Sequence, residues 1–213
     1  MSIIIKKYPL GQLQANCYLV YDKNTMDGVL IDTGAEGKEV TQFIFSTDVN
    51  IKAILITHAH FDHNFGVGFF KEKYPSAQIV CHEKDKEQWQ MQLKFANMFQ
   101  IKVPKNYPAQ ADSYFQKDGE LEFGSLKFKA INTPGHTPGS CCFFNAESNT
   151  CFTGDTLFSN SVGRMDFPGG SSLDMKKSLQ KLEGELKSDT TVFPGHGDAA
   201  EFAAAIRAAK RFV

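Results

Sequence analysis

Apolar and polar positions alternate along the first half of the chain in blocks that predict strands and helices in turn. Residues 17–21 and 28–32 are apolar runs separated by turn-forming residues at 22–24, which predicts two strands joined by a turn. Beyond them, hydrophobic spacing and β-branched content distinguish helices from strands. The predicted elements are a helix over 38–47, a strand over 51–56, a helix over 64–73, a strand over 78–81 and a helix over 83–100.

The second half of the chain repeats this theme with shorter apolar runs. A hairpin is predicted over 121–131, and a second one is formed by strands 141–145 and 150–153. Ser171 or Ser172 can cap the helix that follows. The remaining predictions are a helix over 171–186, a strand over 190–193 and a terminal helix over 199–211.

The order of these elements predicts a layered α/β protein. Two β-rich halves that each end in helices suggest two sheets packed face to face with the helices outside. Periodicity alone defines only a mixed α/β layered fold. No long linker, low-complexity tract or internal repeat interrupts the 213 residues, so we expect a single domain over 1–213.

Composition and charge narrow the range of partners. Hydrophobic residues make up 42% of the chain, and the net charge of -1 gives no basic field that would attract nucleic acid. No apolar run approaches the ~20 residues of a membrane helix, and the first residues lack the order of a secretory signal. We therefore expect a soluble, cytoplasmic protein that acts on a small molecule, with no nucleic-acid or membrane partner. The oligomeric state is left open.

The cysteines are five in number and form no Cys-x-x-Cys pair. Several lie in apolar, strand-like runs, which predicts small buried hydrophobic residues in a reducing compartment. A metal-thiolate or redox role is the alternative. The five are Cys17, Cys81, Cys141, Cys142 and Cys151.

Three of the six histidines fall in the segment HAHFDH, directly after an apolar run. Alternate residues of an extended segment point the same way, so His58 and His60 can converge on one metal ion. Asp62 and His63 follow and can turn toward a second ion beside the first. A polar loop with surface histidines is the alternative interpretation.

Three more ligand-type side chains follow apolar runs that end at glycine or proline. His136 lies in TPGHTPG, Asp155 in FTGDT and His196 in FPGHG. Glycine permits the backbone angles that such a tight presentation needs. Each of these turns therefore presents one candidate ligand after a strand.

These motifs, in this order, resemble those of the metallo-β-lactamase superfamily and, within it, the glyoxalase II-like hydrolases. The resemblance covers nearly the whole chain and includes NCY at 16–18 and IDTG at 31–34. It implies an αββα sandwich, in which two mixed β-sheets pack face to face with helices outside. The metal site would lie at one edge of the sheets.

The resemblance also implies two divalent metal ions, with zinc expected and iron or manganese suited to the same donors. Two ions about 3.5–4 Å apart can share a water and lower its pKa toward ~7, so that it attacks an ester or thioester carbonyl. Asp62 and Asp155 would be the catalytic carboxylates, and Asp62 would orient the attacking hydroxide. One ion would be held by His58, His60 and His136, the other by Asp62, His63 and His196, with Asp155 bridging both.

Three further positions are interpreted through the resemblance. Many true β-lactamases have cysteine where this chain has Asp155, which favours the glyoxalase-type members. Asp32 matches a position that braces the ligand loop through hydrogen bonds, and a role as a metal ligand is the alternative. His82 matches no ligand position, so we expect a surface or capping histidine.

Candidate substrate contacts lie beyond the metal ligands. The loop that holds Arg164 resembles that of small glyoxalase II-type proteins and persulfide dioxygenases, with Ser161 in place of the first glycine. Arg164 either grips a substrate carboxylate or pairs with Asp166 to shape the loop. Phe158 and the aromatic stretch 89–99 either line the substrate mouth or belong to the core.

The leading prediction is a binuclear hydrolase that cleaves a thioester such as an S-acyl glutathione, or a related ester. Only 17 residues follow His196, whereas full-length glyoxalase II enzymes carry a C-terminal helical region with basic residues for glutathione. Glutathione binding is therefore left open. One alternative is a persulfide dioxygenase with a single ferrous iron at His58 or His60 together with His136 and Asp155. A lactonase and a non-catalytic metal-binding protein are the others.

Overall fold

Two six-stranded β-sheets form the centre of the computed structural model, which describes residues 2–108 and 110–213. The first sheet comprises β1 (Ile3–Leu10), β2 (Ala15–Asp22), β3 (Asp27–Ile31), β4 (Asn50–Leu55), β5 (Gln78–His82) and β6 (Ser113–Phe115). The second comprises β7 (Gly119–Phe123), β8 (Leu126–Asn132), β9 (Cys141–Asn145), β10 (Thr150–Gly154), β11 (Thr191–Pro194) and β12 (Ala200–Glu201). Within each sheet the strands lie side by side in chain order.

Both sheets are mixed. In the first, β1, β2 and β3 pair antiparallel, and β3 to β6 pair parallel. In the second, β10 and β11 pair parallel and the other neighbours pair antiparallel. Parallel neighbours need crossover connections, and these connections carry all the helices except α6, which follows β12. The helices are α1 (Lys38–Thr47), α2 (Phe61–Asn64), α3 (Val67–Lys73), α4 (Lys86–Met98), α5 (Ser172–Glu185) and α6 (Phe202–Ala209).

Three buried clusters of apolar side chains separate four layers. One lies between the first sheet and α1, α3 and α4, and another lies between the second sheet and α5 and α6. The third fills the space between the two sheets. In β2, Leu19 faces the helices whereas Tyr18 and Val20 face the other sheet, because successive side chains of a strand point to opposite faces. The predicted αββα sandwich is confirmed.

Most predicted elements are found, with differences at their ends. The helix over 38–47 and the two hairpins are confirmed, as is the cap at Ser171, whose Oγ accepts a hydrogen bond from Asp174 N at 3.2 Å. The helix predicted over 64–73 is found as α3, but it begins at Val67, because the chain turns at Phe65 and Gly66 after α2. There the Gly66 N–H donates to Thr33 O, and a Cβ would collide with that oxygen.

Three strands were not predicted, and the terminal helix is shorter than expected. β1, β6 and β12 have no counterpart among the predicted elements, and all three lie at or near sheet edges. The helix predicted over 199–211 begins at Phe202 and ends at Ala209. Since the chain at 200–201 pairs with β11, its backbone is extended and cannot start a helix.

The predicted burial of the cysteines is confirmed, because all five side chains are buried, and none forms a disulfide. Several of them lie on strands and pack in the apolar clusters; Cys17 faces α1, α3 and α4, and Cys142 faces α5 and α6. Among the helices of the described residues, none is both long and apolar enough to cross a membrane.

Candidate metal centre

Seven ligand-type side chains meet at one edge of the sandwich, where four strands end. The first four follow β4, and the others follow β8, β10 and β11. Loops at strand ends can carry ligands on a rigid base. The structure brings together all seven residues that were predicted as metal ligands. Two groups of donor atoms, each within 4.8 Å, share no residue: the first is His58, His60 and His136, and the second is Asp62, His63 and His196. A further group with the same spacing, His58, His63 and Asp155, overlaps both.

The first group consists of three imidazole rings that face one another. His136 Nε2 lies 2.8 Å from His60 Nδ1. The ring of His58 lies 4.8 Å from that of His60 and 4.7 Å from that of His136, centroid to centroid. Three convergent nitrogens of this kind are a common protein contribution to a zinc site.

The second group combines a carboxylate with two imidazoles. His196 Nε2 lies 3.2 Å from Asp62 Oδ2, and His63 Nε2 lies 3.6 Å from the same oxygen. Asp62 lies in the first turn of α2, directly before His63. The pair that the sequence predicted for a second ion therefore faces His196.

Asp155 lies between the two groups. Its Oδ1 is 3.4 Å from His63 Nε2, and its Oδ2 is 3.7 Å from His136 Nε2 and 3.8 Å from His196 Nε2. The two carboxylate oxygens therefore face both groups at once. Gly195 permits this approach, because a Cβ at that position would collide with Oδ1 of Asp155. This is the arrangement that a bridging ligand requires.

Hydrogen bonds behind three of the rings fix which nitrogen faces the centre. His63 Nδ1 lies 2.8 Å from Asp32 Oδ2, and His136 Nδ1 lies 2.7 Å from the carbonyl of Arg164. Because these oxygens only accept, both Nδ1 atoms must carry the proton. His58 Nδ1 contacts the Thr57 hydroxyl at 3.1 Å. In all three rings Nε2 is left for the centre, as in metal-binding histidines generally.

Asp32 braces the ligand loop, as the sequence predicted. Its Oδ1 accepts from Thr57 N at 2.8 Å, and its Oδ2 accepts from the Thr57 hydroxyl at 2.7 Å as well as from His63. The residue adopts a positive φ of 56°, a conformation that aspartate tolerates better than most residues. Asp32 therefore connects the end of β3 to the loop after β4.

Asp85 is a second brace, which the sequence analysis missed. Its Oδ2 accepts from Ala59 N and from the Thr137 hydroxyl, both at 2.8 Å, and its Oδ1 accepts from Gly139 N at 2.6 Å. Burial raises the pKa of this carboxyl above its ordinary value. Asp85 connects the loop of His58 and His60 to the loop of His136, so it sets the distance between these ligands.

Buried polar atoms without hydrogen bonds show that the donors suit a metal ion. Within the described part of the chain, His58 Nε2, His63 Nε2 and Asp155 Oδ1 are buried and have no hydrogen-bond partner. Leaving such atoms unpaired costs roughly 1–3 kcal/mol each. A divalent cation would satisfy all three, and nitrogen with carboxylate oxygen suits zinc, iron or manganese.

The charges in the two groups differ. Burial, together with neighbouring histidines, holds the pKa values of His58 and His60 well below the ordinary value. Both rings are therefore neutral, which is the state that binds a metal. Burial opposes charging of His63 as well, but Asp62 and Asp155 raise its pKa to about 10. A metal ion there must displace a proton, so we expect affinity at the second group to rise with pH.

The other predicted contacts divide between a cavity and the core. Phe158 and Arg164 line a cavity of about 540 Å³ beside the donors, and so do Phe95 and Phe99. Trp89 is fully buried, and its Nε1 donates to Pro108 O. The stretch 89–99 therefore belongs to the core at its Trp89 end and lines the cavity at its Phe99 end. Both interpretations of this stretch apply, each to one part of it.

His82 is buried rather than on the surface, so that part of its interpretation is wrong. The capping role is confirmed, because its Nδ1 accepts from Lys84 N at 3.1 Å at the start of a 3₁₀ turn, Glu83–Asp85. His82 takes no part in the three donor groups.

Comparison with known proteins connects this centre to one family. A family model described as the metallo-beta-lactamase superfamily matches residues 10–196. The chain is 32% identical over 194 residues to hydroxyacylglutathione hydrolase GloC of Haemophilus influenzae, with 91% of this chain and 90% of that protein covered. These matches confirm the family resemblance that was expected from the motifs.

Two solved structures are similar over nearly the whole chain. The BLEG-1 B3 metallo-beta-lactamase has a TM-score of 0.87 and 28% identity, with 94% of this chain and 95% of that chain covered. TTHA1623 in a di-iron-bound form has a TM-score of 0.84 and 32% identity, with 96% and 98% covered. Both structures therefore share the fold of this chain over nearly its whole length.

Proposed function

Since this chain belongs to the metallo-beta-lactamase superfamily and is a metallo-hydrolase of that superfamily, we propose that it hydrolyses a thioester or a related ester at a centre of two divalent metal ions. The position of Asp155 between the two groups of donors is the observation that carries this proposal. We propose zinc as the metal, with iron or manganese as the alternatives. The first ion would be held by His58, His60 and His136, and the second by Asp62, His63 and His196, with Asp155 shared.

The residues of the chain suit a direct attack by water on the carbonyl. Two bound divalent ions would lower the pKa of the attacking water and would stabilise negative charge on the carbonyl oxygen. Asp62 lines the cavity, and its carboxylate can accept a proton from the water and orient it. Thioester cleavage then yields a carboxylic acid and a free thiol, with the water supplying the oxygen and both hydrogens.

No step of this reaction needs an acyl group bound to the protein. The five cysteines are buried within the layers, away from the cavity lining. Burial raises the pKa of Cys17, Cys81 and Cys151 in particular, which keeps their thiols protonated. The proposed nucleophile is therefore the water alone.

Two of the matched proteins suggest which substrates to test first. The Haemophilus relative is named a hydroxyacylglutathione hydrolase, which supports S-acyl glutathiones. The BLEG-1 protein is titled a B3 metallo-beta-lactamase, so a β-lactam belongs in the same panel. Because the chain has Asp155 where many true lactamases have cysteine, we expect turnover of thioesters and little of lactams.

Metal analysis of the purified protein, coupled to hydrolysis of a panel of S-acyl glutathiones, esters, lactones and a β-lactam, tests the proposal. We expect about two zinc-like ions per chain together with thioester turnover. One iron per chain with oxygen consumption on glutathione persulfide would instead establish the dioxygenase alternative. Bound metal without hydrolysis of any member of the panel would leave a metal-binding protein and contradict the proposal.

A further inference from the structure

The cavity beside the metal donors has a largely apolar wall. Its volume of about 540 Å³ suits a small ligand, and the donors Asp62, Asp155 and His196 are part of its lining. We call it the aromatic cavity after the five phenylalanines that line it, Phe61, Phe95, Phe99, Phe158 and Phe167.

The rings of the aromatic cavity come from separate elements and contact one another across it. Phe95 of α4 and Phe167 stack with centroids 5.7 Å apart at 17°. Phe61 of α2 lies 6.0 Å from Phe99 at the end of α4. Phe158, after β10, lies 6.2 Å from the ring of His196. A group held beside the donors is therefore surrounded by aromatic carbon.

Arg164 and Gln92 have hydrogen-bond partners within the protein, and Gln12 is a further polar residue of the lining. Arg164 donates from Nε and Nη2 to the two carboxylate oxygens of Asp166, at 2.8 and 2.7 Å, and its guanidinium lies 3.7 Å from the Phe167 ring centroid. The Gln92 carbonyl oxygen accepts from Phe61 N, and its amide donates to a backbone carbonyl of its own helix. Among the described residues of the lining, Arg164 is the only arginine or lysine, and it pairs with Asp166.

A second depression adjoins the aromatic cavity, and its lining is also mainly apolar but includes side chains of both charges. This groove of about 240 Å³ shares Asp62 and Phe61 with the aromatic cavity. It also contains Lys102 and Glu36, one cation and one anion. A scissile carbonyl next to Asp62 would therefore have a wall of phenylalanines on one side and, on the other, a groove that contains two charged side chains.

We propose that the acyl group of the substrate is apolar, either aromatic or medium-chain aliphatic, and lies in the aromatic cavity, while the thiol or alcohol leaving group lies in the groove. This inference rests on the proposed ester or thioester hydrolysis and names its acyl class. Acyl groups that carry a hydroxyl or a carboxylate, such as lactoyl or succinyl, are poorer substrates because most of the wall is apolar and its one arginine pairs with Asp166.

Burial of the acyl chain sets the size of the expected preference. A buried methylene contributes about 0.8 kcal/mol, which corresponds to about a fourfold change per methylene. The value of kcat/KM should therefore rise about fourfold with each added methylene until the aromatic cavity is full. Aromatic acyl groups should gain further from edge and face contacts with the phenylalanines.

A matched series of thioesters of one thiol tests the inference. Acetyl, butanoyl, hexanoyl, octanoyl, benzoyl, lactoyl and succinyl thioesters of glutathione are hydrolysed by the zinc-loaded protein, so that only the acyl group differs. We expect S-hexanoylglutathione to exceed S-lactoylglutathione by at least tenfold in kcat/KM. A flat series, or one led by the lactoyl or succinyl ester, would overturn the inference while leaving the proposed hydrolysis intact.

Binding of inert analogues gives a readout that does not depend on turnover. S-methyl, S-butyl and S-hexyl glutathione are titrated into the zinc-loaded protein by calorimetry, and we expect Kd to fall with chain length by up to about fourfold per methylene. Equal Kd values across the three thioethers would count against an apolar site. Absence of hydrolysis of every thioester, with two metals bound, would instead contradict the proposed function itself.

Two variants of the wall and one control separate the aromatic cavity from a general effect on folding. Phe95→Ala should lower kcat/KM for the octanoyl thioester about tenfold and leave the acetyl thioester within about twofold. Phe99→Lys, at a position that is 51% exposed, should raise turnover of the succinyl thioester about fivefold. Phe45→Ala removes an exposed ring on α1, outside the cavity lining, and should leave the series unchanged. If the wall variants behave like Phe45→Ala, the assignment of the acyl group to this cavity is wrong.

Discussion

The metal donors and the aromatic cavity share one edge of the sheets, but the chain holds them in different ways. His63 and His136 are buried, and each is fixed by a hydrogen bond behind its ring. Phe95 and Phe167 contact as stacked rings, and Phe99 is half exposed. Directional bonds fix positions closely, whereas apolar contacts tolerate changes of shape. We therefore expect changes at the donors to affect every substrate, and changes at the cavity to affect the choice of substrate.

The largest effect should come from removal of the shared donor. Asp155→Ala leaves both groups without their common carboxylate, so we expect loss of bound metal and a fall in kcat of about 10³-fold or more, which corresponds to the several kcal/mol that metal ions supply. Metal content and thioester turnover are measured on the same sample. A variant that keeps full activity and both metals would remove the bridging assignment.

Asp32→Asn tests the brace behind His63. The amide keeps the size of the side chain but has one acceptor oxygen, so it cannot serve Thr57 and His63 as the carboxylate does. We expect a loss of metal affinity of about 10–100-fold with all substrates affected equally. Competition with a chelator measures the affinity. If the preference among acyl groups changed while metal affinity did not, the donors and the cavity would not have the separate roles expected here.

Asp85→Asn tests the brace between the two ligand loops. In asparagine one of the two carboxylate oxygens is replaced by an NH₂ group, which donates and cannot accept. That group would face either Gly139 N or the donors of Ala59 and Thr137, and the hydrogen bonds on that side would be lost. We expect about a tenfold loss of affinity at the first metal group, and a lower melting temperature. Asp112→Asn, at a surface carboxylate that pairs with Lys71, is the matched control and should leave metal affinity unchanged.

The site was predictable from the sequence where a local pattern carries the chemistry. In HAHFDH the spacing of ligands places alternate side chains on one side of the loop, and the turns at His136, Asp155 and His196 each follow a strand. The glycine before His196 in FPGHG has a physical cause, because a Cβ at Gly195 would collide with the carboxylate of Asp155. The metal groups themselves stay a prediction until metal is measured.

Other features depend on contacts that are distant in the chain. Asp85 lies in the run EKDK, which is typical of a solvated helix start, yet it is fully buried because its partners come from two other loops. The break after α2 arises from Gly66 meeting the backbone of Thr33. β1 was missed because its residues are only half buried at a sheet edge and do not alternate cleanly. None of these has a local signature.

The smallest effect should come from Arg164→Ala. Since Arg164 pairs with Asp166 on the surface, and exposed ion pairs contribute about 0–1 kcal/mol, we expect a stable fold and a KM for S-hexanoylglutathione within about twofold of the original. Kinetics with neutral and anionic acyl groups check this. A rise in KM of tenfold or more for the anionic acyl group alone would show that Arg164 grips a substrate carboxylate.

Metal titration of the metal-free protein tests the central claim most directly. Zinc is added in steps to a known concentration of the chain, and thioester hydrolysis is followed at each step. Because Asp155 faces both donor groups, we expect activity to rise until two equivalents are bound and then to stay constant. Full activity at one equivalent, with no further change at two, would contradict a binuclear hydrolase.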